Sequence, residues 1–419
     1  MSERRERWTA WIVTWVAYAT YYTGRKGFSV AKKTIHDGLG VSTQTLGAID
    51  TAYLVAYSLG QFGSGYLGDR IGARRLISYG MLLSAATCVA FGASSTAALF
   101  FVAFLLNGFA QSTGWPGTTR AMAEWTTLDN RGTVMAFWAT CYQVGGIVAT
   151  ALAAFLLGRL GWRYAFFGPA VLLAVVAGGV YLLLSAGPAR SHGDADESKR
   201  GTSSEQDADA DSRGARRTAQ REILRHPLLW CYGASYFCIK FIRYALLFWL
   251  PFFLAQSRGF DAERAGYVST AFEVGGIVGV VFLGIASDRL RHFSRSLLAG
   301  GALVALAGAV VLFTRMNATS IASNVVGLAL IGAALFGPDA LLSGAAAQDA
   351  GGKHAAAMAT GFVNGMGSVG AALQGLLVPY LSNRYGWSSL FSVFVGLSLL
   401  SAVCLLPTLR SRPNAGAPT

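Results

Sequence analysis

Charge is what this sequence has least of. Asp, Glu, Lys and Arg make up 13% of its 419 residues, about half the roughly 25% of an ordinary soluble domain. With 53% hydrophobic residues beside them, a water-soluble enzyme is excluded. Acid is scarcer than base, 21 residues against 34, for a formal net charge of +13. In a polar chain that excess would suggest nucleic acid. Against this apolar background it points to a membrane, and no nucleic-acid partner is expected. The five cysteines, Cys88, Cys141, Cys231, Cys238 and Cys404, fall in apolar stretches without metal-ligand spacing, so neither a disulfide framework nor a metal site is expected. The histidines, His36, His192, His226, His292 and His354, all lie near expected loops, which leaves no histidine relay at membrane depth. No nucleophile or cofactor motif stands out, and no cofactor is expected.

What the sequence does have is long apolar runs. A bilayer-crossing helix needs about 20 apolar residues, whereas barrel strands alternate over about ten. Runs such as 170–186 and 391–407 are unbroken, so an all-α membrane protein is expected. Twelve spans are placed near 8–35, 43–67, 74–94, 97–124, 132–158, 162–186, 227–256, 263–287, 295–315, 319–347, 354–382 and 387–409. The first follows Arg4, Arg5 and Arg7 as a signal peptide would, but its length and its Arg25 and Lys26 mark it as retained. Loops on one side hold the larger share of Lys and Arg when the N-terminus is placed inside. Both termini are therefore expected in the cytoplasm, and the chain in the plasma membrane as a monomer.

Residues 187–226 are polar, charge-mixed and unable to bury enough apolar surface to fold alone. They read as a cytoplasmic linker between two six-helix bundles, 1–186 and 227–419. The bundles repeat one another. Gly65 to Arg70 recurs as Gly284 to Arg289, and Arg159 to Trp162 recurs as Arg384 to Trp387, at offsets of about 220 residues. A parallel repeat of this kind is the mark of transporters whose substrate site lies between the halves near the midplane.

A Lys or Arg at a helix centre costs about 2.5 to 3.5 kcal/mol, so one that is kept usually faces a cavity and a partner. Arg243 lies near the middle of the seventh span, with Lys240 on the same helical face. Arg25 and Lys26 occupy the equivalent first span. The carboxylates at depth are few: Glu273, Asp50 and Asp339, with Glu124 near one end of the fourth span. A central site holding Arg25, Arg243 and Lys240 with one nearby carboxylate would be net positive and would suit an anion, above all phosphate, which arginine binds in a bidentate fashion. The competing reading makes Glu273 a static partner that neutralises Arg243 or Lys240.

The stretch Gly65-Tyr-Leu-Gly-Asp69-Arg70-Ile-Gly72-Ala-Arg74 resembles the loop signature of the major facilitator superfamily. That resemblance implies a cytoplasmic latch formed by Asp69, Arg70 and Arg74, with Asp288 and Arg289 in the second half. More narrowly, Tyr21-Tyr-Thr-Gly-Arg25-Lys26-Gly-Phe-Ser29-Val-Ala-Lys32, Asn107-Gly-Phe-Ala-Gln111 and Phe241-Ile-Arg243-Tyr244 are similar to the organophosphate:phosphate antiporters. Resemblance to the sugar-phosphate exchangers is closest, and the bacterial glycerol-3-phosphate and hexose-phosphate transporters are also similar. The resemblance implies that Arg25 and Arg243, one per half, clamp the substrate phosphate, with Lys26 and Lys240 beside them. Where bacterial members place a histidine and a lysine, this chain has Tyr142, followed by Gln143, and Gln61, which can still hydrogen-bond a phosphate or hydroxyl. Tyr21, Tyr22, Trp138 and Asn364 are further candidates for the cavity wall, and Arg120 matches a family arginine.

The expected mechanism is alternating access, with an organophosphate exchanged for inorganic phosphate. Closure around an empty site would bury uncompensated cations, so exchange is favoured over net flux. Two alternatives stand: a proton-coupled symporter of an organic anion, titrating at Glu273, and a sugar-phosphate sensor that does not transport.

Overall fold

The computed structural model describes residues 3–125, 138, 140–185, 227–290 and 293–410. The expected linker at 187–226 lies outside them. The elements of the described residues are helical throughout: α1 Glu3–Tyr21, α2 Thr23–Leu39, α3 Thr43–Ile71, α4 Ala73–Ala93, α5 Ala97–Gln111, α6 Gly114–Trp125, α7 Thr140–Leu160, α8 Tyr164–Leu183, α9 Pro227–Ser257, α10 Ala262–Arg289, α11 Arg295–Arg315, α12 Ile321–Leu341 and α13 Ala347–Cys404. A π-helical turn, Leu342–Ala346, joins α12 to α13, and a 3-10 turn, Leu406–Arg410, follows α13.

Nine of these helical stretches are long and apolar enough to cross a membrane. The first three helices are not among them. α1 opens on the charges Glu3 to Arg7, α2 is only 17 residues long and carries Arg25, Lys26 and Lys32, and α3 is rich in glycine and polar residues around Asp50. Elsewhere large apolar side chains face outward in numbers that water would not tolerate, such as Leu182 at 80% exposure and Phe282 at 71%. Such a surface suits lipid.

Helix starts carry side-chain caps. Ser42, Thr96, Asp261, Ser294 and Ser320 each accept from a backbone N–H at the head of α3, α5, α10, α11 and α12, supplying partners to donors that the helix itself cannot satisfy. The turns preserve the sequence repeat. Gly40 and Gly259, and likewise Gly161 and Gly386, adopt positive φ of 66°, 74°, 96° and 80°, and the two pairs stand at the repeat's own offsets. Gly386 lies inside α13, where its left-handed backbone marks the turn between the expected eleventh and twelfth spans.

Short connections make sequential helices antiparallel, so residues 40–42, 94–96, 161–163, 258–261 and 384–387 gather at one end. Arg163 ties this end together by donating to the Gly92 and Ser94 carbonyls at 2.6 and 2.8 Å. Trp387 Nε1 does the same by donating to Gln256 Oε1 at 3.1 Å. Here the N-terminal and C-terminal helices meet tightly. Asn383 Nδ2 donates to Thr43 Oγ1 at 2.6 Å and Thr51 Oγ1 to the Ala372 carbonyl at 3.1 Å. Gly47 of α3 lies so close to α13 that a Cβ there would strike the Gly375 carbonyl and Pro379.

Candidate functional site

Toward the middle of the molecule from this seam lies a cavity of about 70 Å3, room for several waters. α2 supplies Arg25 and Lys26, α3 Tyr53 and Tyr57, α7 Tyr142 and Gln143, α9 Arg243 and Tyr244, α10 Glu273 and α12 Phe336. Tyr22, between α1 and α2, completes the aromatic wall. Tyr22 keeps right-handed helical dihedrals, so Tyr21 and Tyr22, as helical neighbours about 100° apart, face different sides.

The cations are held in three ways. Arg25 stacks its guanidinium 3.7 Å from the Tyr22 ring centre, and among the described residues no carboxylate pairs with it. Lys26 Nζ donates to Glu273 Oε1 at 2.9 Å, joining α2 to α10. The other Glu273 oxygen accepts from Thr150 Oγ1 at 3.4 Å. Arg243 donates through Nη1 to Asp339 Oδ2, and Lys240 Nζ lies 3.4 Å from Asp339 Oδ1. Arg243 also faces the Phe336 ring at 4.3 Å, a cation–π contact.

This arrangement corrects the expected electrostatics. Two carboxylates serve the cations rather than one. Glu273 neutralises Lys26 across the two sets of helices, not Arg243 or Lys240, and Asp339 takes both α9 cations. The reason is register: Lys240 and Arg243, three residues apart, turn one face of α9 toward α12, whereas Lys26 points from α2 to α10.

Several expected wall residues turn elsewhere. Tyr21 is buried in helix packing, its hydroxyl donating to the Ile77 carbonyl at 3.0 Å and lying 2.8 Å from Thr113 Oγ1. Trp138 is fully buried and donates to Thr14 Oγ1 at 3.0 Å. Asn364 donates back to the Thr360 carbonyl of its own helix at 3.0 Å. Neither Asn364 nor Gln61 lines the cavity. Arg120 is partly buried on α6, outside the lining. At the far end Arg70 lies over the Tyr66 ring at 4.4 Å and Arg74 faces the Tyr181 ring at 5.3 Å. Arg289 is exposed. The side chains of Asp69, Asp288 and Glu124 lie outside the described residues.

Sequence reading passed over Lys32. Its ammonium is fully buried and pairs with Asp50, equally buried. It also donates to the Phe248 carbonyl of α9 at 2.9 Å. The signal was present: Lys32 stands seven residues after Arg25, on the same helical face.

Comparisons with known proteins show the family and the fold. The Major Facilitator Superfamily profile matches residues 14–375. Sugar phosphate exchanger 3 of Bos taurus is 31% identical over 402 residues, covering 87% of this chain and 80% of the relative. A protein of Arabidopsis thaliana named for glycerol-3-phosphate transport is 30% identical over 436 residues, covering 94% and 84%. Among solved structures, a bacterial homolog of the human lysosomal transporter Spinster, inward-facing and unoccupied, superposes with a TM-score of 0.72 at 14% identity, covering 96% of this chain and 95% of that one. That likeness speaks to the fold.

Proposed function

The chain belongs to the major facilitator superfamily, as a membrane transporter and not an enzyme, and on that premise we propose that it exchanges an organophosphate for inorganic phosphate by alternating access. The observation that carries the reading is the meeting of Arg25 and Arg243, one from each repeat, in the wall of a single cavity. Arginine presents five donors in a planar fork suited to phosphate oxygens. Tyr53, Tyr57, Tyr142, Gln143 and Tyr244 add neutral hydrogen-bonding groups around them for the organic part of the substrate. Relatives named for sugar-phosphate exchange and glycerol-3-phosphate transport support the same substrate class.

In this reading twelve helices cross the plasma membrane in two six-helix bundles, 1–186 and 227–419, as a monomer with both termini cytoplasmic. The seam that joins α2 and α3 to α9 and α13 is then external, and it is shut. A phosphate held by both arginines would draw the halves together at the opposite end. That motion would release the seam and expose the site outside.

The test is phosphate counterflow in proteoliposomes, with glycerol 3-phosphate, glucose 6-phosphate, phosphoenolpyruvate and 3-phosphoglycerate as competitors. Accelerated uptake of labelled phosphate by internal phosphate, inhibited by glycerol 3-phosphate or glucose 6-phosphate, is expected. Phosphate binding without counterflow would point to a sensor. Uptake driven by an imposed proton gradient, with no response to internal phosphate, would point to a symporter.

A further inference from the structure

The charges around the cavity can be counted against those of a substrate. Arg25, Lys26, Lys240 and Arg243 face Glu273 and Asp339. Lys26 and Glu273 cancel, and so do the neighbouring Lys32 and Asp50. Asp339 answers one of the two α9 cations, being shared between them. Among the described residues, two positive charges remain: Arg25, and one spread over Lys240 and Arg243. His36, on α2, lies toward the external seam, with its ring nitrogen 2.8 Å from the Val41 carbonyl, and takes no part in the wall.

Asp339 is buried at 6% exposure and is absent from the cavity wall, behind Arg243. Its Oδ1 has no aligned hydrogen bond despite the nearby Lys240. It follows Pro338 near the end of α12, three residues before the π-helical turn Leu342–Ala346 begins. Such irregular helix geometry recurs at functional sites. It alters the charge of the site without touching what enters it.

We infer that Asp339 sets the valence of the substrate: with it in place, two unanswered cations match a phosphate monoester dianion and disfavour a phosphate that carries an additional carboxylate. The inference rests on the organophosphate reading above. A phosphate monoester is close to fully dianionic well above its second pKa of about 6. A buried charge left over on either side of the balance is costly. One unit charge on the order of 8 Å away, at an effective dielectric of about 20, changes affinity by more than tenfold.

The experiment compares two probes of similar size that differ in charge, glycerol 3-phosphate and 3-phosphoglycerate, as competitors of labelled phosphate counterflow at alkaline pH. The wild type should prefer glycerol 3-phosphate by at least about tenfold. Asp339→Asn should shift the ratio of inhibition constants by about tenfold or more toward 3-phosphoglycerate, and Asp339→Glu should keep the wild-type ratio. Lys240→Gln, which removes a cation, should move the ratio the opposite way, and so provides the test if Asp339→Asn does not fold. A ratio unchanged in both Asp339→Asn and Lys240→Gln would overturn the inference, as would a wild type that prefers 3-phosphoglycerate. In those cases phosphate counterflow itself would persist. Competition by neither probe in any folded variant would instead remove the organophosphate reading, and the inference with it.

Discussion

Lys32 and Asp50 show what one residue pair contributes at membrane depth. Both side chains are fully buried, and the ammonium lies 4.1 Å from the Trp249 ring and 5.0 Å from that of Phe28. Breaking such a pair by removing one partner leaves a buried charge without compensation and costs about 3–5 kcal/mol, whereas replacing both partners by apolar groups is often nearly neutral. Asp50→Ala should therefore lower the thermal unfolding temperature of the detergent-solubilised protein sharply, while the double variant Lys32→Met with Asp50→Leu should recover most of the loss. Equal losses in the two variants would contradict this reading, because removing the whole pair would then cost as much as leaving one charge unpaired. The Lys32 bond to the Phe248 carbonyl gives the pair a second role, because it joins α2 to α9 at the closed seam.

At the scale of helices, two interior prolines shape that seam. Pro251 in α9 lacks the N–H that would bond the Leu247 carbonyl, and Ser29 Oγ of α2 donates to this freed oxygen at 3.0 Å. Pro379 in α13 likewise leaves the Gly375 carbonyl without its helical donor, and Gly47 of α3 packs against it. The seam thus closes on backbone that the prolines have opened, at a place where only glycine lets the helices approach. Gly47→Val should wedge the seam apart. Transport should fall at least about tenfold because the cycle cannot pass through the closed state, while phosphate binding is retained. A cysteine introduced by Thr51→Cys should then become reactive to an impermeant maleimide from outside. Unchanged labelling in the Gly47→Val background would show that the contact does not gate access.

These elements also show how far the sequence could be read. Apolar runs and repeat offsets were legible because they are local and periodic. The burial of Arg25, Lys26, Lys240 and Arg243 was legible because a charge kept within an apolar run is costly unless it turns inward to a cavity or a partner. Pairing was not legible: which carboxylate meets which cation depends on the rotation of each helix about its axis. Glu273 therefore went to Lys26, and Asp339, noted only for its depth, took Arg243 and Lys240. Tyr21 and Tyr22 were likewise indistinguishable, because the rotation of their helix decides which of the two faces the cavity. Hydropathy alone underrates α1, α2 and α3, because α1 opens on the charges Glu3 to Arg7, α2 has only 17 residues and α3 is rich in glycine and polar residues around Asp50.

Over the whole molecule, the closed seam and the central cations form one device. Carboxylates already answer part of the charge in the empty site, so the penalty for closing without substrate is smaller than four bare cations would impose. Arg25 and the Lys240–Arg243 pair still face one another across the halves with positive charge remaining. In the proposed function the substrate phosphate joins them, one phosphate engaging both arginines at once. Equilibrium binding of inorganic phosphate to the purified protein tests this most directly, compared among wild type, Arg25→Gln, Arg243→Gln and the double variant. Each single substitution should weaken binding by at least about tenfold, and the double variant should be little weaker than the poorer single, because residues acting on one ligand group are coupled. Losses that simply add would contradict a shared phosphate, and unchanged binding in either single variant would remove that arginine from the site.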